Sequence, residues 1–199
     1  MKKLAFSVLE IVFVIIVIGI LAINAIPHSD PNLLEHASEQ VANHIRYTQH
    51  LAIIDDKFLA TDQHWYKKRW QIRFLSNSGT YYYDVFSDMN TEGNSNANEE
   101  AVDPLSKRHL GSGHTFNTPT DAVDLTHRYG ITGIGGTCVV NGTHKIGFDY
   151  MGRPYLGVSA GVYNNPVPAG GCTITLNHPT EGTATITVAA ETGYVSISY

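Results

Sequence analysis

At 199 residues and 21.8 kDa, the chain has the length of one domain, or of one domain plus an anchor. Thirteen basic against eighteen acidic residues give a net charge of −5, which excludes a generally basic nucleic-acid coat. Two cysteines exclude a four-ligand zinc site and a disulfide-dense scaffold.

Hydrophobic residues, at 43%, suit a folded protein, whereas charged residues, at 16%, fall below the ~25% usual for soluble domains. Part of that deficit lies in residues 11–29, which hold no Asp, Glu, Lys or Arg. The chain opens Met-Lys-Lys-Leu-Ala and then runs apolar from Phe6 to Ile26, broken only by Ser7, Glu10, Gly19 and Asn24. As a helix this run reaches about 30 Å, the thickness of a bilayer core. Lys2 and Lys3 precede it, so the positive-inside rule predicts a cytoplasmic N-terminus and export of residues 28–199. A secretory signal peptide has the same charge order, with Ile23-Asn24-Ala25 as a cleavage site, and a plain signal anchor also fits. Glu10 argues against both, because a carboxylate inside such a run costs roughly 2.5–3.5 kcal/mol on insertion scales.

The leader Lys-Lys-Leu-Ala, the following Phe6 and the carboxylate at Glu10 resemble the class III leader of type IV pilins and pseudopilins. The resemblance implies that a prepilin peptidase cuts between Ala5 and Phe6, where the family usually has Gly before the cut, and methylates the new N-terminus at Phe6. Glu10 becomes the fifth mature residue, Pro27 matches the family's helix-perturbing proline, and Gly19-Ile20-Leu21-Ala22 repeats its usual core. The implied organisation is a leader at 1–5, a transmembrane and assembly helix at 6–27, a periplasmic half of that helix at 28–56 and a β-rich globular domain at 57–199. The fold class is then α+β and pilin-like: one long N-terminal helix, half membrane-embedded and half amphipathic, packed on an antiparallel sheet domain. In a staggered neighbour Glu10 faces the α-amine of Phe6, and pairing the two relieves a buried charge on each.

Along the body, Pro27 to Pro31 reads as a break, with Asp30 able to cap the helix after it. Leu34, Ala37, Val41, Ile45, Thr48 and Ala52 then keep helical spacing to about Asp55-Asp56. After residue 60 the period becomes two. Trp70, Ile72 and Phe74 alternate with Gln71 and Arg73, Ser76–Gly79 turns the chain, and Tyr81–Phe86 returns. Asn141-Gly142 suits a type I′ turn between Cys138–Val140 and Thr143–Phe148. Cys172–Leu176, Thr183–Val188 and Tyr194–Tyr199 complete a meander. This order, together with Gln49–Ile53 and Lys145–Pro154 (KIGFDYMGRP), looks like the GspH/FimT group of minor pseudopilins.

Four features carry chemistry. Cys138 and Cys172, in a segment placed outside the cytoplasm, predict one disulfide, with two free buried thiols as the alternative. Asp88, Asn90, Glu92 and Glu99, with Gly93 at the sharp turn and the Asn94 carbonyl available, have the spacing of an EF-hand loop and nominate calcium. Residues 84–103 hold six carboxylates and no Lys or Arg, a cluster that repels itself without a cation. Lys67, Lys68, Arg69 and Arg73 lie among Trp65, Tyr66 and Trp70 as a basic-aromatic patch that could grip a nucleic-acid strand, although an amphipathic strand accounts for it more simply. The ten histidines, His36 and His44 included, read as surface residues.

The resulting expectation is a minor pilin or pseudopilin of a type II secretion pseudopilus or type IV pilus, anchored by a single inner-membrane pass with its globular domain periplasmic. Its implied partners are the prepilin peptidase, other pilins and an inner-membrane assembly platform. The alternatives are a FimT-like pilin that binds DNA during uptake and, more remotely, a membrane-anchored enzyme, for which no H-E-x-x-H motif speaks.

Overall fold

The computed structural model describes residues 8–25, 32–111, 119–156 and 165–199. The chain divides into two units, Met1–Pro31 and Asn32–Tyr199. The first contains helix α1, Val8–Ala25. In the second, helix α2 (Leu33–Ile54) is followed by a 3₁₀ turn at Trp65–Lys68 and the hairpin β1 (Trp70–Asn77) and β2 (Thr80–Ser87). A short helix α3 (Leu125–Tyr129) leads to β3 (Gly133–Gly136), β4 (Val139–Val140), β5 (Thr143–Phe148) and β6 (Pro154–Tyr155). The chain closes with β7 (Cys172–His178), β8 (Gly182–Val188) and β9 (Val195–Ser198).

These strands form two antiparallel sheets, one ordered β2-β1-β5-β4 with β6 also on β5, the other β3-β7-β8-β9. Both tight hairpins use the mirror-image turns that match strand twist. Ser78 and Gly79 take φ of 50° and 86°, and Asn141 and Gly142 take 51° and 77°. On the second sheet the side chains alternate cleanly, with Cys172, Ile174 and Leu176 of β7 and Ala184, Ile186 and Val188 of β8 all buried. β2 is buried on both faces, with Tyr83 and Val85 alternating with Asp84 and Phe86, because something covers its outer side as well. Its free edge is closed by irregular chain: Val85 N–H donates to the Leu110 carbonyl and Ser87 N–H to the Glu99 carbonyl.

Helix α2 lies across both sheets. Leu34, Ala37, Val41, Ala42, Ile45 and Ala52 enter one core with Ile72, Ile146 and Phe148 of the first sheet and Ile174, Ile186 and Val195 of the second. The buried hydroxyls on this face, Ser38 and Thr48, donate back to the carbonyls of Glu35 (2.8 Å) and His44 (2.7 Å). Gln49 donates to the carbonyls of Gly152 and Thr192, both at 2.8 Å, and joins two turns to the helix. A Cβ at Gly193, whose φ is +63°, would stand 2.6 Å from that amide nitrogen, so the turn closes only with glycine there.

The long N-terminal helix anticipated from the sequence is replaced by two helices in separate units, and the single sheet domain by two sheets. Among the described residues no helix is long and apolar enough to cross a membrane. The transmembrane helix, the pilin-like fold class built on it and the single-pass inner-membrane placement are corrected accordingly. The causes are local. Asn32, just before α2, has φ 104° and ψ 29°, a left-handed conformation through which a right-handed helix does not continue. Pro27 and Pro31 each lack an N–H and disfavour helix in the residue before them.

Asp30, the anticipated cap, lies outside the described residues, and Asn32 makes no side-chain cap bond. The cap comes instead from 148 residues away: the Glu181 carboxylate, in the β7–β8 turn, accepts from Leu33 N–H (3.2 Å) and Leu34 N–H (2.8 Å). These donors hold the Glu181 pKa below its ordinary value. A depressed carboxylate contributes stability above the unfolded pKa and loses it as pH falls through the folded one. Glu181→Gln should therefore lower the melting temperature at pH 7, and the gap to wild type should close near pH 3, as thermal denaturation at the two pH values will read.

Candidate functional site

Ala5 and Phe6 lie outside the described residues. Glu10 stands in the first turn of α1, where a carboxylate complements the positive end of the helix dipole. From Ile11 to Leu21 the helix has no polar face. Val8, Leu9, Phe13, Ile15, Ile18 and Leu21, each more than half exposed, fall at successive angles right around the helix. A helix apolar all round is one that other apolar surface must cover.

The acidic loop Asp88–Glu99 folds over the outer face of the first sheet and is built on backbone donors. Asp88, fully buried, accepts from Glu92 N–H (3.0 Å) and Gly93 N–H (2.8 Å). Asn90 Oδ1 accepts from Glu92 N–H at 3.1 Å. Glu99 accepts from Asn90 N–H through one oxygen and from Asn96 through the other, all at 3.1 Å. The Asn94 carbonyl oxygen of the side chain is buried without a hydrogen bond among the described residues. Calcium takes six to eight oxygens converging on one point. Here the carboxylates turn to separate N–H groups, and no cluster of three or more His, Cys, Asp or Glu among the described residues could hold a metal ion. Burial, more than the neighbouring Glu99 charge, holds the Asp88 pKa up, opposed by its two backbone donors.

Positive charge reaches this loop from beneath. Arg73 on β1 forms an ion pair with the buried Asp84 of β2, donates to the Gly93 carbonyl at 2.8 Å and lies over the Phe86 ring. Asp84 also accepts from Ser95 Oγ at 2.7 Å. Lys145 on β5 stands 5.9 Å from the centre of the same Phe86 ring, and burial, with Arg73 nearby, brings its pKa down to about 8 against the pull of Asp84 and Asp88. The self-repulsion of the acidic sequence is thus relieved by strand residues that are remote in the chain.

Arg73 is one of the four residues nominated for a nucleic-acid patch, and two others are also engaged within the fold. Lys68 pairs with Asp62 at 2.6 Å, and Arg69 is buried between the rings of Trp65 (4.9 Å) and Tyr155 (4.5 Å). Lys67, on the 3₁₀ turn, is partly buried. The basic run does not emerge as one exposed stripe.

Cys138 and Cys172 form a disulfide. Cys138 lies where the chain passes from β3 of the second sheet to β4 of the first, and Cys172 opens β7. The bond therefore ties the two sheets at their crossing, beside the bonds from Thr137 N–H and Cys138 N–H to the Thr173 carbonyl.

Sequence reasoning missed a buried polar network beneath α2. His44 Nδ1 meets the Tyr83 hydroxyl, which also receives Gln40 Nε2 at 2.9 Å, and Gln40 Oε1 accepts from Tyr129. His44 is thus not a surface residue: burial lowers its pKa to about 4, Asp103 opposing and Arg128 reinforcing the shift. Burial likewise raises the Tyr83 hydroxyl. The one available signal was spacing, since 40 and 44 share a helix face next to the apolar stripe. Elsewhere a groove of about 330 Å³ opens among Phe74, Ser76, Tyr81, Ile134 and His144.

No family model, no curated protein and no solved structure matches the chain.

Two measurements test this geometry. The disulfide closes a separation of 34 residues, so replacing both cysteines by serine should cost about 3–4 kcal/mol in chemical denaturation under oxidising conditions, and adding reductant to wild type should reproduce the loss. Because the unfolded chain protonates His44 before the folded one does, stability should fall by at most about 3 kcal/mol as pH drops from about 6.5 to about 4. In His44→Gln the slope of stability against pH over that window should flatten, with Asp103, Arg128, Tyr83 and Tyr129 left in place.

Proposed function

We propose that this chain is a structural subunit, a minor pilin or pseudopilin, of a type II secretion pseudopilus or type IV pilus, and that it assembles through α1. The observation that carries the reading is α1 itself: an exposed, all-round apolar helix with one carboxylate in its first turn, joined to a separately folded unit. Such a helix gains most when neighbouring subunits cover it, which couples burial to polymerisation. Glu10 supplies the register, pairing with the α-amine that cleavage exposes at Phe6 of a staggered neighbour. The Cys138–Cys172 bond fits a folded unit matured in an oxidising compartment. The partners implied are a prepilin peptidase, other pilins and their assembly platform. A DNA-binding role draws no support from the basic run, whose Lys68, Arg69 and Arg73 serve the fold.

Intact mass and N-terminal sequencing of the chain coexpressed with a prepilin peptidase should show a mature chain beginning at N-methylated Phe6. A mature end at Asn24 or later would overturn the reading. Glu10→Val should abolish incorporation into filaments while leaving the melting of the folded unit unchanged; normal incorporation would remove Glu10 from its assigned role.

A further inference from the structure

The groove of about 330 Å³ is walled by the end of the β1–β2 hairpin and the β4–β5 turn on the first sheet, and by Ile134 on the second. Its volume falls at the lower end of the ~300–1,000 Å³ usual for ligand sites. Both walls carry main chain that lacks a strand partner. On β2, the N–H groups of Tyr81, Val85 and Ser87 donate away from β1, to Thr126, Leu110 and Glu99. The even-numbered residues of β2 therefore bond β1, as at Leu75↔Tyr82 and Asn77↔Thr80, and the even-numbered residues of β1 face β5. Phe74 pairs there with His144, and the next position, Ser76, would meet Gly142. Gly142 has already left the strand, with φ 77° in the tight turn. The Ser76 N–H and C=O thus open onto the groove, and among the described residues no hydrogen bond takes them. On the second wall β3 pairs with β7 alone, so its other backbone edge meets no strand among the described residues. Its sequence, Gly-Ile-Gly-Gly, has none of the charges or prolines that blunt an exposed edge.

Among the described residues no Asp, Glu, Lys or Arg lines the groove. His144 Nδ1 is buried there without a hydrogen bond among the described residues. Burial lowers the His144 pKa, the Cys138 carbonyl opposing, so the ring adds no charge at neutral pH. We propose that the groove binds an extended, uncharged peptide segment of a separate polypeptide, which adds to the open main-chain edge at Ser76 and lies along β3. Main-chain bonds of this kind supply affinity, and the pocket beside them selects the side chain. The Phe74 and Tyr81 rings with Ile134 favour an apolar or aromatic residue, while the hydroxyls of Ser76 and Thr143 accommodate a small polar one. A charged residue is disfavoured, because nothing lining the groove would pair with it. The site is independent of α1 and of polymerisation through it.

The test titrates the ¹⁵N-labelled full chain, held in neutral detergent micelles, with blocked peptides acetyl-Thr-Val-Xaa-Val-Thr-amide that carry Val, Thr or Tyr at the centre. Amide spectra should show saturable shifts at Ser76, Ile134, Gly142 and Thr143 with at least one of these peptides. The same peptide N-methylated at its internal residues should bind at least tenfold more weakly, as should the version with Asp or Lys at the centre. Ser76→Pro removes one N–H and should weaken binding at least tenfold, whereas Ser76→Ala, which keeps that N–H, should stay within twofold of wild type. The N-methylated peptide reads the same main-chain bonds on the unaltered chain, so the outcome does not depend on the folding of Ser76→Pro. Absence of saturable shifts at these amides up to about 1 mM peptide would overturn the site, as would equal binding of the N-methylated or the charged peptide. Shifts at the same amides on raising the protein concentration without peptide would make a second copy the occupant, and would overturn the separate partner.

Discussion

Residues 32–199 are organised by one constraint: two antiparallel sheets share a single covering helix. The narrow stripe Ala37, Val41, Ile45 and Ala52 lets α2 approach both sheets closely, and among the described residues of this unit no other helix of comparable length covers either inner face. Burial of that stripe is a non-directional drive, so something else has to fix where along its axis the helix sits. Directional bonds at several points do this: Glu181 at the first turn, Gln40 and His44 on Tyr83 in the middle, Arg46 on the Val195 carbonyl, and Gln49 on two turns near the end. Each joins the helix to a segment tens of residues away or more, so the helix register and the sheet arrangement are set together.

The outer face of the first sheet is held by charge rather than by apolar area. Arg73 and Asp84 are a buried pair, and Lys145 adds a second cation beside Phe86. A buried pair costs desolvation, and its net contribution is small unless the remaining polar atoms are bonded. Here Ser95 and the Gly93 carbonyl complete the shell, which at the same time ties the acidic loop to the sheet. Two sequence features that looked independent, a basic strand and an acidic loop, satisfy one another.

This division of labour bears on function. The folded unit uses its charged groups internally, at the loop, at the Arg69 sandwich and at the Lys68–Asp62 pair. Apolar side chains also stay exposed, at the end of α2 with its adjoining turns and, on the other unit, along α1.

Local chemistry made several elements legible in the sequence. Helical spacing gave the buried stripe of α2, Asn141-Gly142 and Ser78-Gly79 gave the two tight hairpins, and period-two alternation gave β1, β7 and β8. Each depends only on residues within a few positions of one another. The long helix failed because apolar content does not encode continuity, and the left-handed Asn32 interrupts it. The glycine strand β3 gave no pattern, since Gly133, Gly135 and Gly136 have no side chains to alternate. Calcium was nominated from the spacing of Asp88, Asn90, Glu92 and Glu99, whereas the backbone donors to Asp88 and the cations beneath the loop are not encoded in that spacing. Composition and spacing determined the helical stripe of α2, the strands of the two tight hairpins and of β7 and β8, and that two cysteines could pair. Which charges meet, how the sheets divide, what caps α2 and where apolar surface stays exposed were decided by contacts between residues far apart in the chain, which only the tertiary structure brings within reach.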